Sequence, residues 1–269
     1  MTPSRLPSYF DLDRFGIAPA DVTRLILGCD PVRIHPDVVL TPVWHLERIL
    51  DGAELAETVT PKRVFNFSYG SRPFTLVRSG IGAPMAGDAV LALGCTACTR
   101  LVFTGSVGGL VSGMAIGDLV LAAEAVAGDG FSNYLAPGPL AAGAFLSVAT
   151  PDPGLTDHLG RLAERAAGPQ GVSTTRGRVF SGDALVAQFH HLPGIVRDHG
   201  CIGIEMETAA VFRAAALTGI RAAALLQLSD VSADGKSLFA GRSDAEQTRK
   251  WDLRRRVLAP LLLEAIAQG

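Results

Sequence analysis

The sequence predicts a single α/β domain in which a mixed, largely parallel β-sheet is flanked by helices. Three observations predict it. Short apolar β-type runs recur and close on glycine or a small polar residue, most are followed by stretches rich in alanine and leucine, and thirty glycines and sixteen prolines are scattered between them as turns. Apolar strands alternating with helical stretches describe a sheet buried on both faces. No linker with a composition shift, charge run or internal repeat divides the 269 residues, so one domain over residues 1–269 is expected.

The elements follow in order. Arg24–Leu27 is an apolar run ending at Gly28 and reads as the first strand, followed by a helix over Val43–Ala56. Phe74–Arg78 reads as a strand that leads through Ser79-Gly80-Ile81-Gly82 into a helix over Met85–Leu93. Leu101–Thr104 and Leu119–Ala122 are strands, and Leu155–Ala167 is a helix. Ser173–Phe180 is a strand, Glu205–Thr218 a helix and Ala222–Leu228 a strand. Thr248–Ala267 closes the chain as an amphipathic helix, with Arg254, Arg255 and Arg256 read as its solvated face.

Composition excludes several classes of function. With 48% hydrophobic and 19% charged residues the chain is not disordered, and a net charge of -2 supplies no cationic field for nucleic acid. The first residues lack the basic start and apolar core of a secretory signal, and no stretch reaches the roughly 18 apolar residues of a membrane span. A cytoplasmic protein without membrane partners is expected. Cys29, Cys95, Cys98 and Cys201 are too sparse for a disulfide framework. Cys95 and Cys98 have CxxC spacing but no second pair, so they are read as buried small hydrophobes and no metal is expected.

In parallel sheets, reactive groups gather beyond the carboxyl ends of strands. That rule selects four junctions. Gly28 to Arg33 could offer backbone N–H groups and a guanidinium to an oxyanion, or be a turn with an exposed arginine. Gly105, Gly108 and Gly109 around Ser106 let the backbone approach a ligand, or form a tight bend. Phe180-Ser181-Gly182-Asp183 is the third. Asp230, after Ser229 at the end of an apolar run, suits a proton donor whose pKa burial raises, or an ordinary turn aspartate. Glu205-Met206-Glu207 adds two acids at the start of an apolar helix. They either favour its dipole or accept hydrogen bonds from a polyhydroxylated ligand such as a ribose.

Taken in order, Gly-x-Asp-Pro-x-Arg, Ser-Gly-Ile-Gly, Thr-Gly-Ser-x-Gly-Gly, Gly-Asp-Leu-Val, Phe-Ser-Gly-Asp, Glu-Met-Glu and Ser-Asp-Val resemble the nucleoside phosphorylase and nucleosidase superfamily over nearly the whole chain. The resemblance implies that fold, and cleavage of a nucleoside N-glycosidic bond through an oxocarbenium-like sugar. By position, Glu207, Met206 and Glu205 would form the ribose site, and Asp230 would protonate or hydrogen-bond a purine leaving group. Gly28, Arg33 and Ser106 would line the phosphate subsite, with Arg78 as a further cation. Ser181, Asp183, Gln188 and Ser229 would surround the base. Nucleoside and phosphate are the implied small-molecule partners, with phosphate as co-substrate and no cofactor.

The chain departs from the pattern at Phe103, where phosphorylases of this family carry an arginine. Arg78 would replace that cation, and Arg63 or Lys62 would supply charge that relatives take from a neighbouring subunit. Arg33 favours phosphorolysis, whereas Thr104 to Gly109 and Ser181-Gly182-Asp183 read more like the hydrolytic nucleosidases. Asp230 favours a purine, although Gln188-Phe189-His190 resembles the uracil-reading segment of uridine phosphorylases. Asp11 stands where relatives place a histidine that reaches the neighbour's sugar; either that segment crosses to a neighbour in a homo-oligomer, a dimer or trimer of dimers, or it is an ordinary packed N-terminus. A nucleoside-binding module without activity is the reading outside enzymes.

Overall fold

The computed structural model describes residues 4–138, 140, 143–235, 237–239 and 242–268. Its chain runs α1 (Pro19–Leu27), β1 (Asp37–Thr41), β2 (Glu54–Thr60), β3 (Val64–Tyr69), β4 (Arg72–Arg78), α2 (Ala83–Leu93), β5 (Arg100–Phe103), β6 (Ser106–Gly109), β7 (Leu119–Gly128) and β8 (Val148–Ala149). It continues through α3 (Pro153–Ala167), β9 (Thr174–Gly182), α4 (Leu192–His199), β10 (Cys201–Glu205), α5 (Thr208–Thr218), β11 (Arg221–Val231), α6 (Asp244–Leu253) and α7 (Ala259–Ala267).

The strands form one sheet in the order β2-β3-β4-β1-β5-β11-β6-β10-β9-β7-β8. Six of its pairings are parallel and five antiparallel, so the α/β class holds with a more evenly mixed sheet than the apolar runs suggested. β11 is the pivot. Ala222–Ala224 pair with β5, Leu225–Gln227 with β7 and Gln227–Val231 with β6, so β11, β6, β10, β9 and β7 close into a ring.

Alternation along each strand divides the core between two faces. On one, Val38 and Leu40 of β1 join Leu93 of α2 and Phe212 of α5; on the other, Val39 joins Leu159 of α3 and Leu262 of α7. Each of these residues is essentially inaccessible. At roughly 1.5–3 kcal/mol per fully buried large apolar side chain, the two layers dominate the stabilisation of the sheet.

Several elements differ from the sequence reading. Arg24–Leu27 belongs to helix α1: Pro19 opens it, the Asp21 carboxylate accepts from the Ala18 N–H at 3.1 Å, and Gly28 ends it at φ 75°. Four residues rich in leucine carry too little periodicity to separate helix from strand. Val43–Ala56 is not a helix but a loop with one short turn, Leu46–Arg48, leading into the edge strand β2. Leu46, Ile49 and Leu50 still reach the core, whereas Leu55 is exposed. Glu205 ends β10 and precedes α5, whose cap is Glu207. The last helix is interrupted by a π-turn over Arg254–Leu258, and Arg254 is buried, contrary to its expected solvation. Its guanidinium stacks 3.7 Å from the Trp44 ring and its Nε donates to Gln227 at 3.1 Å. The four cysteines are free and buried, and no helix among the described residues is long and apolar enough to cross a membrane.

Candidate active site

Beyond the carboxyl ends of β1, β4, β5, β10 and β11 lies a cavity of about 300 Å³. Pro42 and Val43 leave β1, Ile81 follows β4, and Ser106 follows β5. Glu205, Met206 and Glu207 stand where β10 turns into α5, and Ser229 and Asp230 end β11. Gln188 completes the set of sequence-predicted residues on this lining.

The two glutamates do different work. Glu205 Oε2 accepts from the backbone N–H groups of Glu207 and Thr208, both at 2.8 Å, and its other oxygen accepts from the Ser181 hydroxyl. Ser181 Oγ in turn accepts from the Ala209 N–H at 2.8 Å. This carboxylate and hydroxyl satisfy the open amides of α5 from neighbouring strands. Glu207 accepts from the Gly82 N–H at 2.6 Å, with the Met206 amide also favouring its charged form, and its carboxylate keeps capacity for a ligand. Gly82 reaches it at φ 97°, a backbone region that favours glycine. Burial pushes both carboxyls up, and the neighbouring Glu205 adds to the rise at Glu207, which is held up at about 8.

Asp230, on the same lining, is 6% exposed, and burial raises its pKa. The Ser229 hydroxyl donates to Asp230 Oδ1 at 2.5 Å and, with Arg242 and Lys250, works against that rise. Gly108 permits the arrangement, because a Cβ there would sit 3.0 Å from Asp230 Oδ2. Lys250 and Arg242 also line the cavity. Sequence reasoning missed both: they lie in a polar stretch whose charges look like a solvated face, and only the fold turns them inward.

Other expected site residues lie elsewhere. Gly28 ends α1, and Arg33 pairs with Glu57 of the edge strand β2, with four strands between it and β11. The loop beside the cavity is the one after β1, so the support that Arg33 lent to phosphorolysis falls away. Arg78 stands with His45, Lys62 and Arg63 around an adjoining pocket of about 400 Å³ that shares Pro42 and Val43 with the main cavity. Its guanidinium donates to the Lys62 carbonyl and lies 3.8 Å from Glu47. Ser181 is spent on the α5 cap. Asp183 accepts from the Gly130 N–H at 2.7 Å and faces two neighbouring cavities. Asp11 sits in an exposed turn at φ 58°, 3.4 Å from Arg14. Phe103 is fully buried and offers the cavity no charge. Among the described residues no cluster of three or more His, Cys, Asp or Glu could hold a metal ion.

Comparison with known proteins gives a consistent picture. A sequence-family profile described as "Phosphorylase superfamily" matches residues 38–266, beginning after Gly28 and Arg33. The chain is 30% identical over 209 residues to a purine nucleoside phosphorylase of the DeoD type from Roseobacter denitrificans, covering 76% of this chain and 83% of that protein. It is 30% identical over 199 residues to a 5'-methylthioadenosine/S-adenosylhomocysteine nucleosidase from Haemophilus influenzae, covering 69% and 80%. The crystal structure of uridine phosphorylase from Vibrio fischeri superposes with a TM-score of 0.72 at 24% identity over 88% of this chain and 94% of that one, a likeness of fold.

Proposed function

The chain belongs to the phosphorylase superfamily, whose members cleave glycosidic bonds, and from that membership we propose that it cleaves the N-glycosidic bond of a purine nucleoside with phosphate. One observation carries the reading: a single cavity is lined by two buried carboxyls, Glu207 and Asp230, on different elements. Glu207 accepts the ribose hydroxyls, and Met206 packs against the sugar. As the bond to the base lengthens, positive charge grows on the sugar and negative charge on the base. Asp230 gives its proton to the leaving base, and the growing positive charge on the sugar favours the ionised form of Glu207, which offsets it, both interactions strengthening in the transition state. A phosphate oxygen forms the new bond at the anomeric carbon, giving free base and pentose 1-phosphate.

The cationic pocket of Lys62, Arg63 and Arg78 supports phosphate as nucleophile, since it shares Pro42 and Val43 with the cavity. A second reading, hydrolysis by water, draws on Phe103, buried and uncharged, and on the nucleosidase among the relatives. The purine assignment draws on Asp230 and on the names of the curated relatives. Homo-oligomeric assembly accords with the exposed apolar side chains of Tyr134, Leu140 and Phe145. No cofactor enters this scheme.

A nucleoside panel assayed with and without phosphate tests the proposal. Base release only with phosphate is the expected result. Release in either case identifies a hydrolase, and binding without release identifies a module. Preference for uridine overturns the purine assignment.

A further inference from the structure

The base end of the cavity carries more positive charge than protonation of a leaving group requires. Arg242 and Lys250 line the cavity with Asp230 and both act on its carboxyl, while Glu205 and Glu207 belong to the same lining. Lys250 is half buried, and among the described residues its ammonium makes no hydrogen bond to the protein, whereas its backbone is firmly placed. Gln227 of the pivotal strand donates to the Lys250 carbonyl at 3.0 Å, and Arg254 donates to the same Gln227 side chain while stacking on Trp44. The root of Lys250 is therefore tied to the centre of the sheet, one helical turn before the π-turn. Its free donors border the cavity beside the apolar side chains of Leu185, Ile204 and Leu238.

We propose that Lys250 is a specificity-determining residue that donates to a carbonyl oxygen on the leaving base, so that the site takes oxo-substituted purines ahead of amino-substituted ones. The inference rests on the reading of the cavity as a nucleoside site. An ammonium has three donors and no acceptor, so it matches a carbonyl and repels an exocyclic amino group. The preference grows during reaction, because negative charge on a departing oxo-purine spreads onto that oxygen. Burial, Arg242 and Arg254 hold the ammonium at about 8, while Asp230 favours its charged form, so it remains mostly protonated at neutral pH.

The test compares inosine with adenosine in the wild type, Lys250→Met and Lys250→Arg, together with binding of hypoxanthine and adenine. The wild type is expected to prefer inosine. In Lys250→Met the inosine-to-adenosine ratio of kcat/KM should fall at least about tenfold, with partial recovery in Lys250→Arg. An unchanged ratio in a folded Lys250→Met, or wild-type preference for adenosine, overturns the proposal while leaving nucleoside cleavage intact. If bases bind without cleavage, the ratio of their dissociation constants is the readout, and the same change is required. If the wild type neither cleaves the nucleosides nor binds either base, the reading of the cavity itself fails.

Discussion

Glu205 and Glu207 are separated by one methionine, yet their surroundings assign them opposite tasks. Glu205 is saturated by two amides and a hydroxyl, while Glu207 takes the Gly82 amide and lines the cavity. The raised pKa of Glu207 has a consequence for stability. Between its ordinary value near 4.5 and its folded value of about 8, the native state retains a proton that the unfolded chain releases. Stability contributed by this group therefore falls as pH rises through that window. Glu207→Gln keeps an oxygen for the Gly82 N–H and removes the ionisation. Its thermal midpoint relative to the wild type should improve from about pH 5 to about pH 8, while turnover drops. A midpoint difference that stays level over this range would show that Glu207 titrates as an ordinary carboxyl.

At the scale of elements, the start of α5 decides where Glu207 points. Ser181 on β9 joins Glu205 on β10 to the Ala209 amide of α5, so three elements meet at one hydroxyl. Ser181→Ala leaves a buried amide without its acceptor and a buried carboxylate short of a donor, at a cost of about 1–3 kcal/mol. Urea denaturation should show that loss, and kcat should decline with it because the turn carrying Glu207 loosens. Unchanged stability would mean that another group takes over the cap. The sequence displayed Glu-Met-Glu and Ser181 as chemistry-bearing residues but could not divide them. Side chains of strands 24 residues apart had to be placed side by side before one acid became a cap and the other a ligand group.

For the whole molecule, β11 joins the two parts of the sheet, and Arg254 locks the C-terminal helices against it. Removing that guanidinium in Arg254→Ala opens a space against Trp44 and leaves Gln227 without its donor. The expected cost is about 2–3 kcal/mol, read as a lowered thermal midpoint. The base end should loosen too, because Gln227 also holds Lys250. A variant as stable as the wild type would place the anchoring of these helices in Leu258, Leu261 and Leu262 alone.

The sequence by itself determined the α/β class, the apolar strands read at Phe74–Arg78, Leu101–Thr104 and Ala222–Leu228, and the residues Glu207, Met206, Ser106 and Asp230 that share the cavity. These were legible because burial on both faces demands unbroken apolar runs, and because acids beside such runs stand out. It did not disclose β6, whose Ser-Val-Gly-Gly lacks any strand signature, nor the loop after β1 that borders the cavity in place of Gly28 and Arg33. Only the tertiary structure decided that Arg33 spends its charge on Glu57, that Arg254 goes inside, and that Lys250 turns toward Asp230. Local pattern records which residues prefer to leave water, whereas the partner of a charge is set by distance in space, and that distance exists only once distant strands have paired.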